Sequence, residues 1–299
     1  MIGDVKVRFA VAPGLDPMDR ATFCELVDGL ETFGFDTIWL SDIPLGAMTD
    51  PLVGLPFAAA RTTRLKLGAN IVPIGRNPML LAKALAQLDQ LSDGRVLVSL
   101  VPGIDQPGER EALGLGAADR GAYLEEVIPL LRRWWAGDAV EHHSDRFDFS
   151  GIAVRPLPAQ DPLEIWLGGQ GPKALARIGR LADGWLGAGI TPAEVGAARA
   201  RIDAAAADAG RTVDPEHHGL SIAYARTDPD GPRLAALRAR RPDADLADIL
   251  PVGAAGLRDL IGRLVDEGLS KFVVRPVGPV TSWRDELDWL AGAVLDLQS

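Results

Sequence analysis

The stretch GFDTIWLSDIPLG, residues 34–46, reads as a buried strand that stops on an acid. Thr37, Ile38, Trp39 and Leu40 have the β-branched, aromatic and aliphatic character of a strand covered on both faces, as in parallel sheets. Asp42 follows at once, and Pro44 and Gly46 break the chain. What a carboxylate does at the lip of such a strand, and what its neighbour Ile43 does, depend on where that lip points.

Outward from this strand the sequence alternates. A strand over about 5–12 precedes it, followed by a helix over about 17–33 with Phe23, Leu26, Val27 and Leu30 at helical spacing. A short helix near 51–60 leads to the strand RLKLGANIV, 64–72. Asn77-Pro78 then opens a helix, Asn as cap and Pro in the first turn, which Asp93-Gly94 ends. The strand RVLVSLV is followed by a helix that runs to about 136. Residues 138–161 break the rhythm and alternate like a small hairpin around Ser150-Gly151. Strand EIWLGG, helix PKALARIGRLA, strand GWLGAG, a helix over 192–209 and strand GLSIAYA resume it. A polar run over about 226–249 is a second insertion, expected to be partly helical or mobile, and a helix over 254–267, strand KFVVRPV and a helix over 283–296 close the chain. Eight βα units without a clear linker predict one (β/α)8 TIM barrel over 1–299, with two insertions. In that fold the C-terminal strand ends form the active face, so Asp42 is expected to look into the pocket.

Composition narrows the function. With 299 residues, 47% hydrophobic and 24% charged, the chain is ordinary for a soluble globular protein. A formal charge of −10 argues against nucleic acid or an anionic membrane as partner and leaves room for a small anionic cofactor held by local donors. The single cysteine, Cys24, excludes intramolecular disulfides and multi-cysteine metal sites and reads as a small core residue. No long apolar segment occurs near the start or elsewhere, so the cytoplasm is the expected location. His142 and His143 fall in the hairpin and His217 and His218 precede a strand on the opposite rim, without metal-ligand spacing. Arg132-Arg133 and Trp134-Trp135 read as packing and dipole complementation at a helix end.

The strand ends carry the functional signal. Gly68-Ala69-Asn70, Gly168-Gly169-Gln170 and Gly187-Ala188-Gly189 replace bulk with small residues, as close approach by a ligand requires. Tight packing at barrel corners explains any one of them; three on one rim point to a flat or extended ligand. Gly169-Gln170-Gly171-Pro172-Lys173-Ala174 matches G-x-G-x-x-A, but it lies in the fifth unit and lacks the ribose-binding acid, so a Rossmann reading fails. Phosphate capture by exposed N–H groups at that helix start survives as a weaker expectation. Gly253 before the seventh helix and Arg275 at the end of the eighth strand lie where barrels usually keep phosphate sites; a structural ion pair is the alternative for Arg275.

GFDTIWLSD, DPLVGLPFAAARTTRLKLGANIV, GRNPMLLAKALAQLDQLSDGR, ALGLGAADRGAYLEEVIPLLRRWW and IWLGGQGPKALARIGRLADGW, in this order, resemble the luciferase-like monooxygenase superfamily. Closest in texture are its members that use the deazaflavin coenzyme F420, and the likeness covers roughly residues 5–290. The resemblance implies a TIM barrel with a flavin-type ring across the strand ends, a small-molecule substrate and a homodimer. It also implies a ring-backing bulge at Ala69-Asn70-Ile71 with a cis peptide between Asn70 and Ile71, and a backbone near the ring at Gly103. The family often follows the acid of the second strand with histidine; here Asp42 is followed by Ile43. Asp42 is then expected to contact the ring or relay a proton through water, with loop capping as its alternative. An FMN-dependent monooxygenase and a catalytically silent flavin-binding homologue stand beside the F420 reading, the latter because of Ile43.

Overall fold

The computed structural model describes residues 6–104, 107–114, 120–229 and 232–299. In chain order the first half runs β1 (Arg8–Val11), α1 (Arg20–Phe33), β2 (Thr37–Ser41), α2 (Pro51–Ala59), β3 (Lys66–Ile71), α3 (Pro78–Leu91), β4 (Val96–Leu100), α4 (Pro107–Leu113) and α5 (Arg120–Trp135). The strands β5 (Val140–His143) and β6 (Asp148–Ile152) follow. Then come β7 (Ile165–Gly168), α6 (Pro172–Leu181), β8 (Gly184–Ala188), α7 (Pro192–Asp208), β9 (His218–Tyr224), α8 (Pro232–Arg240), α9 (Gly253–Asp266), β10 (Lys271–Pro276) and α10 (Trp283–Val294).

Eight parallel strands close in the order β1-β10-β9-β8-β7-β4-β3-β2, and the other two form an antiparallel pair outside them. This is the expected TIM barrel. Closure explains the largely apolar strand interiors, since each strand has one face on the helices and the other on the lumen. Phe9, Val11, Ile38, Leu40, Leu67 and Ile71 belong to the main core under the helices. Ala10, Ala12, Trp39, Leu186 and Val273 form a second, smaller cluster inside the barrel.

The capping signals act as read. Asn77 Oδ1 accepts from Met79 N at 3.0 Å and Leu80 N at 3.1 Å, with Pro78 in the first turn of α3. Asp93 and Gly94 end that helix at φ 55° and 73°.

Four details differ from expectation. The hairpin turns at 144–147, pairing His143 with Asp148, and not at Ser150-Gly151, which lie within β6. The reason is local: Ser144 Oγ accepts from Arg146 N and Phe147 N, both at 3.1 Å, closing a turn that glycine was expected to make. Before α5 there is an additional helix, α4, whereas α8 agrees with the expectation that the second insertion is partly helical. Cys24 is half-buried on α1 and is not part of the core. The expected cis peptide is absent: among the described residues the cis bonds are Arg155-Pro156 and Asp161-Pro162, so Asn70–Ile71 is trans. β3 is paired on both sides through this point, Asn70 with Ser41 and Ser99, and Ile71 with Leu100, which leaves no bulge to hold a cis bond.

Candidate active site

Alternation along a strand decides what reaches the lumen. On β2, Ile38 and Leu40 enter the helix-facing core while Trp39 enters the lumen. Continuing the alternation, Ser41 and Ile43 line a recess at the C-terminal mouth, together with Ala12, Leu15, Met48 and Arg275 among others. The recess has a volume of about 190 Å³. Asp42, between Ser41 and Ile43, is not among its lining residues.

Asp42 faces the loop layer instead. It is 7% exposed, and its Oδ2 accepts from Val72 N at 3.1 Å and from Arg76 Nη2 at 3.0 Å. The same Arg76 Nη2 reaches Asp50 Oδ2 at 2.9 Å, and Asp50 Oδ1 caps α2 through Leu52 N at 2.7 Å. Burial raises the Asp42 pKa above its ordinary value, and the Arg76 charge and the Val72 N–H oppose that rise. The carboxylate therefore ties the end of β2 to the β3–α3 loop and, through Arg76, to α2. The expectation that it opens into the pocket is not met, because a one-residue step along a strand reverses the side chain.

Of the expected bulge residues, only Asn70 alternates into the lumen. Its Nδ2 donates to Ser41 Oγ at 3.1 Å, while its Oδ1 is buried without a partner. Ala69 and Ile71 are 0% exposed in the helix-facing core and offer a ligand no surface. Ser99, the register partner of Asn70 on β4, is also buried with an unpartnered Oγ. Sequence reading missed this Ser41–Asn70–Ser99 row, although the period-two positions of β2, β3 and β4 contained the signal.

The remaining sites divide. Gly168 lies at the end of β7, where a Cβ would meet Val101 Cγ1 at 3.1 Å. Gly169, at φ 125°, accepts a hydrogen bond from Trp185 Nε1 at 2.8 Å on its carbonyl. Gln170 lines a different groove, about 350 Å³, with Glu194, Arg201 and Arg241. Gly103, at φ 83°, faces the buried ion pair of Glu109 and Arg120, 2.7 Å apart, and a Cβ there would stand 2.4 Å from Glu109 Oε1. The role its contacts describe is room for that pair. Gly253 N donates to Ala225 O at 2.8 Å and so is not free for a phosphate. The structure thus places Arg275 and Gln170 in separate cavities.

The sequence matches the description luciferase-like monooxygenase over residues 5–293. The chain belongs to that family. A solved F420-dependent secondary alcohol dehydrogenase, in complex with an F420-acetone adduct, superposes with a TM-score of 0.82 at 18% identity, covering 98% of this chain and 100% of that one; this is a likeness of fold. An uncharacterised protein of Mycobacterium tuberculosis is 34% identical over 164 residues, 54% of this chain and 56% of its own length. A protein of Nakamurella multipartita named F420-dependent glucose-6-phosphate dehydrogenase is 27% identical over 191 residues, 60% of this chain. The chain spans 56% of the length of each of these two relatives. Ile43 lines the recess. Among the described residues no group of three or more His, Cys, Asp or Glu is placed to hold a metal. Nor is any described helix long and apolar enough to cross a membrane.

Proposed function

We propose that this luciferase-like barrel is an oxidoreductase that uses coenzyme F420 and acts on a small, largely apolar organic substrate. The observation that carries the reading is the upper lumen. Ser41, Gly168 and Ala188 end β2, β7 and β8, and Ala12, Asn70 and Ala223 stand within one residue of the ends of β1, β3 and β9, all without bulk, beside a buried Asn70 Oδ1 that lacks a partner. Small strand ends leave room for a flat ring, and an orphaned buried acceptor calls for a ring N–H. The resident residues therefore fit a deazaflavin. When bound, that group supplies the hydride chemistry.

The chain's own residues would bind, orient and keep the site dry. Ser41 and Asn70 hold the ring edge. Ile43, Leu15 and Met48 exclude water from the recess. Residue 43 has no imidazole and Asp42 faces away, so a proton needed at the substrate comes from solvent rather than from β2. Arg275, at the wall of the recess, balances a phosphate or an oxyanion on the substrate. Gly169 and Gln170, at the start of α6, take the cofactor phosphate in this reading. The sequence relative named as an F420-dependent glucose-6-phosphate dehydrogenase supports F420 over FMN. Exposed Val53 and Phe57 on α2 and Leu80 on α3 support a homodimer.

Titrating the purified protein with F420 and with FMN, followed by absorbance and fluorescence, tests the assignment. F420 is expected to bind more tightly. Equal or tighter binding of FMN moves the protein to the monooxygenase reading. F420 binding without turnover across a broad substrate panel favours the silent homologue.

A further inference from the structure

We propose that the opposite, N-terminal end of the barrel holds a second ligand site, for a one- or two-ring aromatic carboxylate. A cavity of about 250 Å³ opens there, rimmed by Arg8, Thr37, Lys66 and Lys271, which begin β1, β2, β3 and β10. Its deeper wall includes Ala10, Trp39, Leu97, Trp166 and Val273. A TIM barrel is normally filled along its axis by layers of bulky side chains. Here Gly68, Gly184 and Gly219 stand where strands of the barrel would contribute such side chains. A Cβ on Gly68 would lie 2.1 Å from Trp39 Cε3, and one on Gly184 would lie 2.4 Å from Trp166 Cε2. The two indoles are therefore packed against the wall over these glycines, and the space beside them remains open.

The walls define the ligand. Two indoles favour an aromatic ring by stacking. Trp166 already has partners: its Nε1 donates to Glu164 Oε2 at 3.2 Å, and its ring lies 5.4 Å from that of His217. Trp39 is different. It lines both this cavity and the recess at the mouth, is 5% exposed, and its Nε1 is buried with no acceptor.

The cations of the lining outnumber its carboxylates by one. The lining holds three cations, Arg8, Lys66 and Lys271, against two carboxylates, Asp36 and Glu164. Asp36 serves both Arg8, at 3.4 Å, and Lys66, at 3.3 Å. Lys271 Nζ donates to Lys6 O at 2.8 Å and Ser270 Oγ at 3.0 Å, and the Glu216 carboxylate stands 3.9 Å away. Burial lowers the Lys271 pKa, so a carboxylate beside it would favour its charged form.

The test is a fluorine NMR titration of the full chain with 4-fluorobenzoate. Saturable binding is expected, unchanged by an excess of F420 or FMN, because those rings belong to the far end. Ala10→Leu fills the cavity and Lys271→Met removes the charge while keeping the stem; each is expected to weaken binding at least tenfold. The neutral 4-fluorobenzyl alcohol is expected to bind at least tenfold more weakly than the acid. No saturable binding overturns the proposal, as does displacement by F420 or FMN. Undiminished binding to a folded Ala10→Leu protein also overturns it. If that variant does not fold, the Lys271→Met titration decides in the same way. Absence of saturable binding leaves the cofactor assignment at the mouth untouched.

Discussion

His218, the first residue of β9, makes the stability of this barrel fall in mild acid. It is 1% exposed, its ring meets Trp185 edge-on at 6.2 Å, and its Nδ1 is buried without a partner. Burial, with the nearby Arg199 charge, pulls its pKa from 6.5 down to about 4. In the unfolded chain the imidazole binds its proton near 6.5, so as pH falls below that value the unfolded state is favoured first. Stability is whole above pH 6.5 and is lost progressively until the folded state protonates near 4. At about 1.36 kcal/mol per pH unit, the displacement from 6.5 to about 4 amounts to about 3 kcal/mol, of which about 2 kcal/mol is lost by pH 5. His218→Leu removes both the titration and the orphaned nitrogen at similar volume. Urea unfolding of both proteins at pH 7, 6 and 5 isolates this group, because every other titration is shared. The wild type is expected to lose about 2 kcal/mol more than the variant between pH 7 and pH 5. Parallel pH dependences, agreeing within about 0.5 kcal/mol, would refute the reasoning.

Two further outcomes follow from the mouth and the lumen. Asp42→Asn keeps an acceptor for Val72 N but loses the charge opposite Arg76, so turnover is expected to fall by less than about tenfold in steady-state assays; a loss of 10²-fold or more would return Asp42 to acid–base chemistry. Gly68→Ala drives a methyl into Trp39, 2.1 Å from Cε3, and is expected to cost about 1–3 kcal/mol in urea unfolding and to shift the tryptophan emission; unchanged stability and emission would mean the indole has another place to go.

Much of the architecture was legible because local signals agreed with one another. The β2 stretch had no polar alternation, the Asn77-Pro78 cap and the Asp93-Gly94 stop bracketed α3, and eight such units leave few topologies other than closure. The site was legible only by address. The strand-end rule placed Asp42 and Arg275 near the mouth, and Arg275 does line the recess. The rule says nothing of which way a side chain turns, and there the expectations failed for Asp42, Ala69 and Ile71. The hairpin turn misled for a similar reason: Ser150-Gly151 has turn composition, but Ser144 closes the loop with its side chain.

Sequence by itself determined the barrel and the small strand ends, which rest on residue type and spacing, and the family, which rests on the resemblance of its motifs. Tertiary structure decided everything that depends on a direction. Strand register turned Asp42 onto Arg76 and turned Asn70 toward the lumen. Closure of the sheet brought Trp39 of β2 and Trp166 of β7 to one cavity wall, although 126 positions separate them in the chain, as their numbers show. The physical reason is that periodicity records which faces are buried, whereas contacts between distant strands exist only once the sheet has closed.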